Sequence, residues 1–197
     1  MNPGDGRLRL VGLCGSLRRG SYNAALLRSA AAMLPDGVDM TIGSIRGIPL
    51  YDADVEAEPG APPAVTGLRD AIAGADGLLL VTPEYNNSIP GVFKNAIDWL
   101  SSPPKEGDRA FRAKPVAIIG ASPGGFGTLL AQDAWLPVLR ALGAQHWSGG
   151  RLTVSHAGDA FDASGALVDP GVAGRLKEFL LGFTQFVRAS KRALPAR

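Results

Sequence analysis

The sequence predicts an α/β fold in which a five-stranded parallel sheet carries helices on both faces. Short apolar stretches alternate about five times with helix-forming segments along the 197-residue chain, and glycine or proline separates most of them. This alternation is typical of parallel sheets, because each parallel strand needs a crossover before the next one. No repeat or shift in composition divides the chain, so we expect one domain over residues 1–197.

Five stretches have the length and composition of strands. The clearest is GLLLVT, a continuous apolar run that is typical of a strand buried on both faces. LRLVGLC and KPVAIIG have the same character, whereas VDMTIGSI alternates only loosely, and the last stretch is interrupted by Gly149 and Gly150. The predicted strands cover residues 8–14, 38–45, 77–82, 114–120 and 145–154.

Five further stretches read as helices, and two as surface loops. The first helix should end at the Pro-Asp-Gly stop signal, and Pro137 should kink the fourth helix. The predicted helices cover residues 23–34, 65–73, 91–100, 128–142 and 172–191. Residues 49–64 are rich in proline, glycine and acids and predict a mobile surface loop, and residues 101–113 predict a second loop.

Composition excludes several classes of function. The net charge of +2 gives no basic footprint for nucleic acid. No apolar run approaches the roughly 18 residues of a membrane span, and the N-terminus has no secretory signal, so we expect a cytoplasmic protein. The single Cys14 reads as a packed residue rather than a nucleophile. His146 and His156 lack a nearby ligand cluster, so no metal site is expected.

The stretch GSLRRGSYN follows the first predicted strand and leads into a helix. Ligands of such folds bind beyond the carboxyl ends of the strands, and a helix start favours phosphate through its unpaired N–H groups. Ser16, Ser21 and Asn23 add neutral donors, while Arg18 adds a forked cation. Ser21 alone is equally explained as the N-cap of the helix. Without a Gly-Lys-Ser/Thr ending or three spaced glycines, the loop predicts a terminal monophosphate.

The stretch PEYNNSIPG follows the third predicted strand. Pro83 and Pro90 should stiffen this loop, so that its backbone groups can meet the edge of a flat ring. Tyr85 offers a face for stacking and Asn86 an amide for ring edges. Glu84 has no evident partner for acid–base work, so we assign no catalytic residue here.

The stretch GASPGGFGT follows the fourth predicted strand. Its glycines let the backbone approach a ligand closely, although a tight turn would also explain them. Taken together, the three loops predict a phosphate at the first loop and a planar heterocycle at the other two. Flavin mononucleotide (FMN) has these parts.

The three motifs GSLRRGSYN, PEYNNSIPGVFKNAIDWLS and GASPGGFGTLLAQDAWLPVLRALGAQ resemble the NAD(P)H-dependent FMN reductase family, which includes bacterial quinone, chromate and azo-dye reductases. The similarity runs from about Leu8 to Val154 and implies a flavodoxin-like three-layer sandwich that binds FMN. Carried over by position, the cofactor-binding residues are Ser16, Arg18, Ser21, Tyr22, Asn23, Pro83, Glu84, Tyr85, Asn86, Ser122, Gly124 and Gly125. Residues 52–64 and 155–170 match the variable segments and receive no role.

The resemblance also implies how the protein works. NADPH or NADH would deliver hydride to bound FMN, and a small acceptor would then collect the electrons: a quinone, an azo compound, a metal oxyanion or free flavin. A flavodoxin-type electron carrier and a flavin-binding protein without turnover are the alternatives. Carriers tend to be acidic and to lack an arginine in the phosphate loop, so Arg18 and the near-zero charge count against the first alternative.

Family members assemble as homodimers or homotetramers, and we expect the same here. Phe93, Ile97 and Trp99 lie in the predicted helix 91–100, beside the ring-binding loop. They belong either to the core or to a subunit contact, and we expect part of this helix to pack against a second chain.

Overall fold

The computed structural model describes residues 6–58 and 60–193. Its strands are β1 (Leu8–Cys14), β2 (Val38–Gly43), β3 (Gly77–Val81), β4 (Pro115–Ala121), β5 (Gln145–His146) and β6 (Leu152–Val154). All pairings are parallel, in the order β2-β1-β3-β4-β5, and β6 pairs with the carboxyl half of β4. The two short strands therefore share the last position of the sheet, which confirms the predicted five-stranded sheet with an interrupted edge.

Eight helices surround the sheet in the described part of the chain. They are α1 (Tyr22–Ala32), α2 (Ala53–Ala57), α3 (Pro63–Ala73), α4 (Gly91–Leu100), α5 (Pro104–Phe111), α6 (Leu129–Ala141), α7 (Ala157–Ala160) and α8 (Pro170–Ala193). Helix α6 contains Pro137 in its interior, and the kink expected there stays a prediction.

Two apolar clusters, one on each side of the sheet, hold the layers together. One cluster joins α1 and α8 to the sheet, and the other joins α3, α4, α5 and α6 to the opposite face. Strands β3 and β4 are buried along their whole length, as their continuous apolar sequences predict for central parallel strands. The three-layer α/β sandwich is confirmed.

The prediction of loops at both charged, proline-rich segments is wrong in part. Residues 101–113 contain α5, which starts with Pro104 at its first position and buries Ala110 and Phe111. Residues 49–64 contain α2 and the start of α3 at Pro63. In both places a proline begins a helix, although the proline-rich composition predicted only a loop.

The loop before α2 is also pinned to the body of the protein. The Pro49 carbonyl accepts hydrogen bonds from Asn95 Nδ2 at 2.7 Å and Trp99 Nε1 at 2.9 Å. The backbone N–H of Tyr51 donates to Asn95 Oδ1 at 2.8 Å. These bonds hold the segment against α4.

Three large apolar residues of α4 belong to the chain's own core. Phe93, Ile97 and Trp99 are buried in the apolar cluster on the α3–α6 side of the sheet, which favours the first of the two readings for these three side chains. That another part of α4 packs against a second chain stays a prediction. Val92 is the large apolar residue of α4 that stays exposed. The ring of Phe93 packs against Gly15, just after β1, in the space that a side chain there would occupy.

Candidate functional site

The loop after β1 begins at Gly15, whose lack of a side chain is required. A Cβ atom there would lie 2.2 Å from Phe93 Cδ1, so only glycine lets the chain turn this close to α4. The loop then runs over the surface until Ser21 begins helix α1. Ser21 accepts a hydrogen bond from Ala24 N at 3.2 Å and is the N-cap of α1. The sequence had offered this role beside that of a phosphate donor.

The start of α1 keeps unpaired donors. Among the described residues, the backbone N–H groups of Gly20, Tyr22 and Asn23 have no acceptor within the chain. No acidic residue stands in the first turn of α1, so the partial positive charge of the helix end is not neutralised. This arrangement fits the terminal phosphate of a mononucleotide.

Arg18 is exposed and folded back onto its own loop. Its Nη2 donates to the Gly20 carbonyl at 2.5 Å, and its guanidinium carbon lies 5.6 Å from the centre of the Tyr22 ring. A single contact to a carbonyl leaves most of the guanidinium donors available. Arg46, from the loop after β2, supports the same loop by donating to the Leu17 carbonyl at 2.7 Å.

Asn23 is buried, and its amide joins the first loop to the end of β4. Its Nδ2 donates to Ala121 O at 2.8 Å, and its Oδ1 accepts from Ala121 N at 2.9 Å. One Nδ2 hydrogen remains uncommitted. The predicted role of Asn23 as a phosphate donor therefore stays a prediction, while its structural role is to fix the start of α1 against β4.

The loop after β3 is a miniature hairpin. Tyr85 and Ser88 exchange both backbone hydrogen bonds, at 3.2 and 3.1 Å. Asn86 and Asn87 between them both have positive φ angles of 49° and 61°, as in the tight turns where asparagine is favoured. Backbone geometry therefore stiffens this loop, in addition to the flanking prolines that the sequence suggested. Tyr85 is 48% exposed.

The same loop is anchored to helix α6 by two side chains. Glu84 Oε2 accepts from the backbone N–H of Ala131 at 2.9 Å. Trp135 Nε1 donates to Thr82 Oγ1 at 3.1 Å, and Thr82 Oγ1 in turn donates to the Pro83 carbonyl at 2.9 Å. Glu84 is thus a structural anchor, a role that sequence reasoning missed because its partner lies far along the chain.

The loop after β4 is held by the segment that follows β6. Ser122 N donates to Val154 O at 2.9 Å, and Ala157 N returns a bond to Ser122 O at 3.0 Å. His156, in a left-handed conformation, donates its N–H to Gly124 O at 3.2 Å. The sequence assigned no role to this segment, and nothing in its residue types signals that it supports the third loop.

The three loops meet around one cavity of about 320 Å³ at the carboxyl end of the sheet. Nine of the twelve predicted cofactor-binding residues line it: Ser16, Arg18, Ser21, Tyr22, Asn23, Pro83, Glu84, Tyr85 and Ser122. Asn86, Gly124 and Gly125 do not. They lie further along the second and third loops, and Ala121 and Pro123 complete the wall instead.

Cys14 lies directly below the first loop. Burial raises the pKa of its thiol, an effect that the hydrogen bond from Ser16 N–H partly offsets. The side chain packs against the core cluster of α1 and α8, as the sequence predicted. A protonated thiol in this position is a packing group rather than a nucleophile.

Neither a metal centre nor a membrane helix is found in the described residues. Over residues 6–58 and 60–193, no three His, Cys, Asp or Glu side chains come close enough together to hold a metal ion. In the same ranges, no helix combines the length and apolar character needed to cross a membrane.

Fold and site together define a flavodoxin-like protein whose cavity, at the carboxyl end of the sheet, is formed by the start of α1 and two neighbouring loops. The chain belongs to the family described as NADPH-dependent FMN reductase, which matches residues 8–159. It is therefore an oxidoreductase whose cofactor is FMN and whose co-substrate is NAD(P)H.

Three relatives support the assignment over nearly the full length. An NAD(P)H-dependent FMN reductase of Pseudomonas aeruginosa is 44% identical over 181 residues, which are 92% of this chain and 96% of that protein. A quinone reductase of Escherichia coli is 37% identical, covering 94% and 98%. Among solved structures, the flavoenzyme NAD(P)H:(acceptor) oxidoreductase FerB of Paracoccus denitrificans superposes with a TM-score of 0.83 at 32% identity, covering 93% and 98%.

Proposed function

We propose that the protein uses bound FMN to reduce a small acceptor, a quinone in the first place, in two successive half-reactions with NAD(P)H. The observation that carries the proposal is the cavity where the start of α1, with its free backbone N–H groups, meets two stiff loops. The quinone acceptor is suggested by the Escherichia coli relative, which is named for that activity.

Each part of the cavity suits one part of the cofactor. The free N–H groups at the start of α1, the Ser16 hydroxyl and the Arg18 guanidinium would bind the phosphate. The Tyr85–Ser88 turn and the Ser122–Pro123 segment would border the ring. When bound, FMN would supply two-electron redox chemistry: a hydride equivalent from the nicotinamide would pass to the acceptor, with the further proton coming from solvent.

The protein's own contribution is to bind and orient the cofactor and to leave one side of the site open to the nicotinamide and the acceptor. No side-chain acid or base is assigned, because Glu84, the one carboxylate among the described residues that line the cavity, is committed to the backbone of α6. Backbone N–H groups of the loops that border the ring would stabilise negative charge that develops on it. We further propose a homodimer or homotetramer located in the cytoplasm.

Cofactor release and turnover test the proposal directly. Heat-released cofactor from the purified protein, or from apoprotein reconstituted with FMN and with FAD, is identified by chromatography, and one FMN per chain is expected. Anaerobic mixing with NADPH or NADH should then bleach the flavin, and a quinone should restore its colour. Parallel double-reciprocal plots are expected at varied quinone.

Three outcomes would reject the proposal: FAD in place of FMN, no flavin after reconstitution, or flavin that nicotinamides do not reduce. An electron carrier would be recognised by bound FMN without steady-state NAD(P)H oxidation. Azo dyes, metal oxyanions and free flavin tested beside quinones would rank the acceptors. Light scattering at micromolar concentration measures the assembly, and a fully active monomer would reject the oligomer.

A further inference from the structure

Helix α6 begins without a cap of its own. The residue at its N-cap position, Thr128, makes no capping hydrogen bond, because its Oγ1 accepts instead from Gln132 Nε2 at 3.1 Å. The N–H of Ala131 is paired with Glu84 Oε2, from a residue 47 positions earlier in the chain. A carboxylate is well suited to this place, since it both accepts the bond and faces the positive end of the helix.

Glu84 joins the helix to the loop that borders the cavity. It immediately precedes the Tyr85–Ser88 turn, and both Glu84 and Tyr85 line the cavity. On its other side, Thr82 is bonded to Trp135 of the same helix. The segment leading to the turn is thus tied to α6 at two points, two residues apart. Of these two ties, the Glu84 carboxylate is the one next to the turn.

We infer that Glu84 is a positioning residue for the flavin ring, which acts through the Ala131 N–H by holding the Tyr85–Ser88 turn at a fixed place beside the loop after β4. This inference rests on the proposed function, because it concerns the ring end of the same FMN site. Two properties of the Glu84 side chain serve this positioning: its length and the oxygen that accepts the hydrogen bond from Ala131. Its charge is of secondary importance.

The turn cannot keep this position through its own bonds. Its two backbone bonds join Tyr85 only to Ser88, within the turn. Ile89, directly after the turn, packs against the core, so the end that needs a further contact is the Tyr85 end, next to Glu84. Loss of the Glu84 contact should displace the whole turn while leaving its internal geometry unchanged.

Three substitutions separate reach from charge. Glu84→Gln keeps an oxygen at the same distance but removes the charge, whereas Glu84→Asp keeps the charge but is one methylene too short. Glu84→Ala removes both, and Glu178→Ala, at an exposed site on α8, is the matched control. Dissociation constants for FMN and for riboflavin are measured by fluorescence quenching of apoprotein, together with visible circular dichroism of the bound flavin.

The positioning role predicts a particular pattern. Glu84→Ala and Glu84→Asp should each weaken the binding of FMN and of riboflavin by the same factor, up to about tenfold, which corresponds to the loss of one hydrogen bond. The ratio of the two constants should stay unchanged, because the phosphate loop is untouched. Glu84→Gln should stay within about threefold of wild type and keep its dichroism spectrum, since it retains the acceptor oxygen.

Two results would overturn the inference. Wild-type affinity and dichroism in Glu84→Ala would show that the contact does not position the ring. Wild-type behaviour in Glu84→Asp with loss in Glu84→Gln would show that the charge itself is needed, as in a direct role toward the cofactor. If wild type binds no flavin, the proposed function fails instead.

A measurement on the wild-type apoprotein covers the case in which variants do not fold. Amide hydrogen exchange should show the Ala131 N–H protected while that of Leu130, one position earlier, exchanges faster. Equal rapid exchange of both would contradict the Glu84 bond and with it the inference.

Discussion

The two ends of the cofactor cavity are built in different ways. At the phosphate end, the loop after β1 is exposed, keeps free N–H groups at the start of α1, and carries Arg18 on its surface. At the ring end, Glu84 and Thr82 bond the loop after β3 to helix α6. Ser122 bonds the loop after β4 to the end of β6 and to the segment that follows it. The phosphate end thus has hydrogen-bond donors without a partner, whereas most polar groups named at the ring end form hydrogen bonds within the protein.

This difference suits the two halves of FMN. A phosphate is recognised by charge and by donors that need a partner, so donors left free are useful there. A flat ring is recognised by shape, so walls held at fixed distances are useful. Riboflavin lacks the phosphate, so the ratio of its dissociation constant to that of FMN reports which end a substitution has damaged.

The largest effect is expected from Gly120→Ala at the ring end. A Cβ atom there would lie 2.0 Å from Thr128 Oγ1 and 2.3 Å from Thr82 O, so β4 would have to move away from the start of α6. We expect a loss of about 3 kcal/mol in unfolding free energy. FMN and riboflavin should both bind more weakly. Denaturant unfolding and flavin titration measure these effects.

Gly67→Ala in α3 is the control, because nothing lies within 4 Å of a Cβ atom at that position. It should gain roughly 0.5–1 kcal/mol, since alanine favours a helix interior. Wild-type stability in Gly120→Ala would show that the contact between the strand and the helix start relaxes easily. The ring end would then not be rigid.

The next effect is expected from Arg18→Ala at the phosphate end. Loss of a charge-assisted contact should cost roughly 1.5–3 kcal/mol of FMN binding, about ten- to a hundredfold, and leave riboflavin binding unchanged. Added salt should shrink the difference, because the site is exposed. The adjacent, exposed Arg19→Ala is the control. An unchanged FMN affinity would make Arg18 a surface residue whose only role is to bond Gly20.

A smaller effect separates the two roles of Ser21. Ser21→Ala removes the cap of α1 and should cost about 1 kcal/mol of stability. Ser21→Asp restores a capping oxygen but places a negative charge beside the phosphate, so stability should recover while FMN binding falls further. Thermal unfolding and titration with both flavins report the two quantities. Equal FMN affinity in the two variants would place the phosphate away from this residue.

The smallest effect concerns Cys14, which lies beneath the phosphate end. Because burial raises the pKa of its thiol, less thiolate is present at pH 7.5 than in free cysteine. Iodoacetamide should therefore label the folded protein several times more slowly than the same protein in guanidinium. Since the chain has one cysteine, total labelling reports this site alone. Equal rates would point to an accessible, reactive thiol.

Strong local patterns made most of the fold predictable. The strands β1 and β3 and helix α4 were found within a residue of their ends, because an apolar run or a periodic stripe marks each of them. Helix α5 was missed because its buried face is only Gly107, Ala110 and Phe111, within a charged, proline-rich segment. That face can be recognised only in the folded structure, where Gly107 of α5 packs against the backbone of Ser101.

The sequence by itself determined the sheet, the three loops at its carboxyl end and the residues that gather there, because these depend on local periodicity and on motifs a few residues long. Only the tertiary structure decided how the loops are fixed to one another. Asn23 meets Ala121 across 98 positions, and Glu84 meets Ala131 across 47. A side chain that pairs with a backbone N–H leaves no mark on the partner's residue type, because every residue but proline carries that donor.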